Sequence, residues 1–172
     1  MVKPSLWVRL DVVARQITPF ALTMALTLFT VLPLQLPGLG VAGPVWTLMG
    51  LYYWALYRPD LMPVGAVFLV GLMLDALSGT PLGSNALVFL GTHRLVVNQR
   101  RFFYGKSFSI VWLGFSLVAA SAFAATWLLA SLWHAAVLDP GGVAFRYLVT
   151  VALFPLVFRA LFEWQRLFLK QV

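Results

Sequence analysis

The chain contains no cysteine among its 172 residues. Disulfides, thiolate metal sites and thiol redox chemistry are therefore excluded. Charge is nearly as scarce. Charged residues make up 10% of the sequence, against about 25% in a soluble domain. So few charges cannot clothe a globule in polar surface. Histidine occurs only as His93 and His134, with no acidic cluster beside either, so no metal site is expected. No internal repeat and no low-complexity linker divides the chain, and a single helical domain over residues 1–172 is expected.

What is present is apolar. Hydrophobic residues reach 62% and the mean hydropathy is +0.92. The expected solvent is therefore a lipid bilayer. The formal charge is +7, from 12 basic and 5 acidic residues. In a soluble protein that excess would suggest nucleic acid. Here the basic residues fall between apolar runs, so they read as orientation signals, and no nucleic-acid partner is expected. The first apolar run is too long for a signal-peptide core and no small-x-small cleavage site follows it, so a removable signal is not expected.

Six spans are predicted, at residues 18–36, 44–57, 61–77, 82–97, 108–137 and 145–162. A basic lead precedes the first, with Leu6, Trp7, Leu10, Val13 and Ile17 at helical spacing. It reads as a helix at headgroup level, as an extension of the first span, or as a loose terminus. Pro33 and Pro37 end span 1, and Gly38, Gly40 and Gly43 make a turn. Tyr52, Tyr53, Trp54 and Tyr57 in span 2 suit a membrane interface. Span 4 is short, with 13 residues from Asn85 to Val97 unless it starts at Leu82, so a re-entrant segment competes with a full crossing. Span 5 carries Ser116, Ala120 and Ala124 four apart, a stripe that permits close helix packing. Asp139 to Gly142 reads as a turn, and Pro155 as a kink in span 6. Glu163 is expected to pair with Arg159 and Arg166.

With six spans, Lys3, Arg9, Arg15, Arg58, Arg94, Arg100, Arg101, Lys106, Arg159, Arg166 and Lys170 fall on one side, and only Arg146 on the other. The positive-inside rule then puts both termini in the cytoplasm. Arg94, Arg100, Arg101 and Lys106 form a cytoplasmic basic loop for lipid headgroups or a protein partner.

Chemistry is sparse. Asp75 is the only acidic residue in the uncharged run from Leu61 to Asn85. Facing lipid, it would cost about 2.5–3.5 kcal/mol, so it should face the bundle. Gly71, Asp75 and Gly79 share one helix face, which lets a neighbouring backbone approach. Three readings stay open: Asp75 orders the turn that follows, contacts a partner or ligand, or couples to protons. Pro81 inside Gly79–Gly83 favours a turn over a dimerisation helix, and Asn85 is the polar group that starts span 4. Gly105-Lys106-Ser107 lacks the first glycine of a phosphate loop, since Arg100 stands there. No Ser/His/Asp set, carboxylate pair or phosphate cradle can be assembled, so an enzyme is not expected, nor a cofactor.

The segments Tyr53-Trp54, Arg58-Pro59, Phe68 to Asp75 and Ser78 to Gly83 carry a further signal, centred on the pattern GLxxDxxSGTPLG from Gly71 to Gly83. In these residues, and in length, number of spans and inside termini, the chain resembles the MreD family of bacterial rod shape-determining membrane proteins. The resemblance implies a non-catalytic scaffold of the cell-elongation machinery in the inner membrane. It implies direct binding to MreC, and a wider complex with MreB, RodA and a class B penicillin-binding protein that directs lateral peptidoglycan synthesis. Gly71, Asp75, Gly79, Pro81, Leu82, Gly83 and Asn85 are then the structural and partner-contact candidates. The family is also similar in fold to the vitamin-binding subunits of energy-coupling-factor transporters. A small-molecule-binding transporter subunit is therefore the alternative, although the sequence offers few polar groups to line a pocket.

Overall fold

A computed structural model describes residues 6–32, 43–103, 105–136 and 139–168. Among them there are six α-helices and no strand: α1 (Leu6–Val31), α2 (Trp46–Tyr57), α3 (Val64–Ser78), α4 (Ser84–Phe103), α5 (Phe108–His134) and α6 (Pro140–Phe168). A short 3-10 turn, Pro59–Leu61, joins α2 to α3.

The first helix fuses the basic lead with span 1, which favours the extension reading of the lead. The lead's side chains lie outside the described residues. So do Lys3, the end of span 1 at Pro33–Leu36, Pro37, the Gly38 and Gly40 turn, the end of span 5 at Val137, and Lys170.

The second helix is the axis of the fold. Every residue from Thr47 to Leu56 is buried. It packs on α1, α4 and α6, while α3 joins α1 to α4 and α5 joins α4 to α6. The aromatic cluster is therefore core and not an interface belt. Tyr52, Tyr53 and Trp54 are almost wholly buried. Tyr52 meets Phe115 and Phe154 edge-on, and Tyr53 meets Phe158. These rings fill the centre, where aromatic pairs add to the burial of their own area.

Successive helices run in opposite directions. Thr30 and Thr27 of α1 face Thr47 at the start of α2. The Trp112 indole N–H of α5 donates to the Val151 carbonyl of α6, and four residues later in α5 the Ser116 carbonyl accepts from Tyr147, four residues earlier in α6. One end of the bundle thus gathers the C-termini of α1, α3 and α5 with the N-termini of α2, α4 and α6.

Several sequence expectations change. The fourth helix has 20 residues, about 30 Å at 1.5 Å per residue, so it is not short. It absorbs Arg94, Arg100 and Arg101, which sit on a helix, and of the four basic residues of the expected loop only Lys106 remains between helices. Pro140 to Gly142 form the first turn of α6 and not a separate turn. Proline is well placed there because its missing N–H is needed by no partner, and Asp139 Oδ1 accepts the Gly141 amide at 3.3 Å. Ala120 and Ala124 are exposed and Ser116 only half-buried, so the small-residue stripe faces outward. Gly114, Phe115, Val118, Ala119 and Ala122 pack inward instead. Glu163 makes no ion pair with Arg159 or Arg166; among the described residues the ion pair formed is Arg58–Asp60.

Two helices, Phe108–His134 and Pro140–Leu167, are long and apolar enough to cross a membrane. Only 39% and 17% of their most apolar windows are buried inside the protein. The core helix of a soluble protein would be mostly buried, so these helices turn apolar faces outward. Leu113, Leu117, Leu148 and Leu156 are all more than 60% exposed, as lipid contact requires and water does not tolerate over a broad patch. Ile17–Val31 and Val64–Ser78 are shorter apolar helices.

Candidate functional site at the α3–α4 turn

Asp75 lies one turn before the end of α3 and is fully buried. Its Oδ1 accepts from the Thr80 hydroxyl at 2.8 Å, the Asn85 amide at 3.0 Å and Asn85 Nδ2 at 2.8 Å. Its Oδ2 accepts from the Gly83 amide at 2.9 Å and the Ala86 amide at 3.4 Å. One carboxylate thus receives the turn and the first backbone donors of α4. Those amides have no partner within their own helix, and lipid offers none.

The surrounding residues explain how the chain reaches this geometry. Gly79 ends α3 with φ +67, and Gly83 stands at φ +97. Both angles are open to glycine and disfavoured for other residues. Pro81 turns the chain between them, and its carbonyl accepts the Ser84 amide at 3.1 Å. Asn85 Nδ2 also reaches Thr80 Oγ1 at 3.2 Å. Gly71, one turn before Asp75, lies against α4: a Cβ there would stand 2.7 Å from the Ala86 nitrogen. The missing side chain allows the two helices to touch and brings the Ala86 amide to Asp75. Leu82 is 76% exposed at the tip of the turn.

The structure therefore brings Gly71, Asp75, Gly79, Thr80, Gly83 and Asn85 into one unit, with Pro81 and Leu82 on its outer side. Arg94, Arg100, Arg101 and Lys106 lie towards or beyond the opposite end of α4. His93 is buried on α4 and His134 exposed at the end of α5.

Two features were missed in the sequence. Thr30 and Thr47 bond at 3.0 Å, the Thr47 amide donates to Thr30 Oγ1 at 3.1 Å, and Thr47 Oγ1 donates to Thr27 Oγ1 at 3.2 Å. The Val45 amide donates to Thr150 Oγ1 at 3.1 Å. These threonines of α1 and α6 cap α2, which has no side-chain cap of its own. Thr23, Thr27 and Thr30, spaced four and three apart on an apolar helix, were the available signal. The second is a cavity of about 360 Å³ beside the turn, reached by Ser78, Thr80, Asn85, Thr126, Asp139 and Arg146. Most of its lining is apolar, and beside Asn85 and the Ser and Thr residues the charged Asp139 and Arg146 reach it. Arg146, the one basic residue expected on the sparse side, pointed to it.

No curated protein and no solved structure matches the chain. One family model does, described as rod shape-determining protein MreD, over residues 13–172. A match across nearly the whole length, joined to an all-helical fold with apolar outer faces, means that the chain belongs to the MreD family of rod shape-determining membrane proteins.

Proposed function

We propose that the protein is a six-span scaffold of the bacterial inner membrane, with both termini cytoplasmic. In this reading it is non-catalytic, binds MreC, and helps regulate lateral peptidoglycan synthesis together with MreB, RodA and a class B penicillin-binding protein. The observation that carries the reading is the turn locked by Asp75, which presents exposed Leu82 from a rigid base. A partner helix meeting such a surface gives up little conformational entropy on the scaffold's side.

The alternating helices support the topology. Arg58, Arg100, Arg101, Lys106 and Arg166 gather at one end of the bundle, and Arg146 stands near the other. The basic end is then cytoplasmic, and the Asp75 turn faces outward. Residues 1–172 are read as one unit, which the contacts between the described helices support.

Capture of MreC from detergent tests the pairing. Wild type should capture MreC, and Leu82→Asp should lose capture without losing the fold. Equal capture by the two would take the turn out of the interface. Depletion in the rod-shaped host tests the role: cells should round, and wild type should restore them. Cells that remain rods would favour the alternative, a small-molecule-binding transporter subunit, which draws its support from the cavity beside the turn.

A further inference from the structure

The cavity beside the α3–α4 turn has features that a shape-determining scaffold does not require. Its size, about 360 Å³, lies in the range of ligand pockets. Leu48, Phe89, Phe123 and Val143 make an apolar wall, and Arg146 and Asp139 bring opposite charges to the same space. The two charges do not pair with each other. Arg146 donates from Nε to the Gly43 carbonyl at 2.9 Å. Its two terminal nitrogens have no hydrogen bond among the described residues. Asp139 Oδ2 is likewise without one. A half-buried guanidinium beside an apolar wall, with no directly paired carboxylate among the described residues, is unfavourable unless an anion reaches it. Asp139 on the same cavity disfavours a purely anionic ligand and suits one that also carries a cation.

The cavity adjoins a second space. Val88 and Ala122 also line a second groove, of about 510 Å³, between α4 and α5. That groove is apolar, with Leu87, Leu95, Leu128 and Leu129 along it. Gly91 keeps it open, since nothing lies within 4 Å of where its Cβ would be. Two opposite charges in a pocket at the end of a bundle, flanked by an apolar groove between α4 and α5, match an amphiphile with a zwitterionic head.

We propose that cavity and groove together bind a zwitterionic phospholipid of the phosphatidylethanolamine type. The phosphate meets Arg146, the ammonium meets Asp139, and one acyl chain lies in the α4–α5 groove past Gly91. This site is separate from the docking role of Leu82, and its failure would leave that role untouched.

Native mass spectrometry of the purified full chain, titrated with phosphatidylethanolamine, phosphatidylglycerol or soluble phosphoethanolamine, tests the site. Wild type should retain phosphatidylethanolamine about tenfold better than phosphatidylglycerol, the ratio expected for one partly desolvated charge contact. Asp139→Asn should abolish that preference while still binding lipid. Arg146→Gln should weaken both lipids. Gly91→Phe, which fills open space in the groove and leaves both charges in place, should weaken phosphatidylethanolamine with unchanged thermal stability. Equal retention of the two lipids by wild type would overturn the proposal. So would retention of phosphatidylethanolamine undiminished in Gly91→Phe. Tight binding of soluble phosphoethanolamine, indifferent to Gly91→Phe, would overturn the lipid assignment in favour of a soluble zwitterion.

Discussion

The Asp75 carboxylate accepts the Gly83 amide at 2.9 Å across eight residues of chain. The contact is specific to a group that only accepts. Asn at this position must turn an NH₂ towards either the Thr80–Asn85 donors or the Gly83–Ala86 amides. Asp75→Asn should therefore lower stability by about 2–3 kcal/mol. Thermal unfolding in detergent, followed by circular dichroism, would show it. An unchanged midpoint would mean that the turn holds itself without the carboxylate.

Gly71 and Gly91 make a matched pair of tests. A Cβ at Gly71 meets the backbone of Ala86, which cannot rotate away, whereas one at Gly91 meets nothing within 4 Å. Gly71→Ala should destabilise by about 1–3 kcal/mol. Gly91→Ala should be neutral or stabilise by up to about 1 kcal/mol through helix propensity. The opposite order of midpoints would contradict the close α3–α4 packing.

The start of α2 is capped from other helices. Thr30→Val keeps the shape of the side chain but strands the Thr47 amide, which donates to Thr30 Oγ1 at 3.1 Å. A loss of about 1–3 kcal/mol is expected. Thr126→Val is the comparison, because among the described residues the Thr126 hydroxyl bonds only its own helix, at the Ala122 carbonyl. Its loss should be markedly smaller in the same unfolding assay.

Tyr53 donates its hydroxyl to Gln165 Oε1 at 2.6 Å, tying the core helix to the last turns of α6. Tyr53→Phe should cost about 1 kcal/mol. Gln165→Leu should cost a similar amount, and the double variant should be less than additive. Strict additivity would mean that the two side chains act independently.

The sequence made some of this legible. Composition and the spacing of apolar runs pointed to helices and to lipid, because both depend on local chemistry. Asp75 was legible for the same reason: a lone carboxylate in an apolar run needs donors, and the turn that followed supplied them. Tyr52 and Tyr53 misled, since their amphipathic rings suit an interface as well as a core, and only packing on α5 and α6 separates the two. Arg94, Arg100 and Arg101 misled because basic residues continue a helix as readily as they form a loop. The cavity was invisible for another reason. Its lining comes from five helices, and no local pattern announces which distant residues a bundle brings together.

The second helix carries a consequence for biogenesis. Its 12 residues span about 18 Å, well short of a hydrocarbon core about 30 Å thick. Ten of them are sealed from the surroundings by other helices. The segment leaves the ribosome before most of its enclosure has been made. The Val45 amide has no partner until Thr150 follows, more than a hundred residues later. On the six-span reading, α2 is held after synthesis by its packing on α1 rather than by its own contact with lipid. The sixth helix completes the first turn of the second.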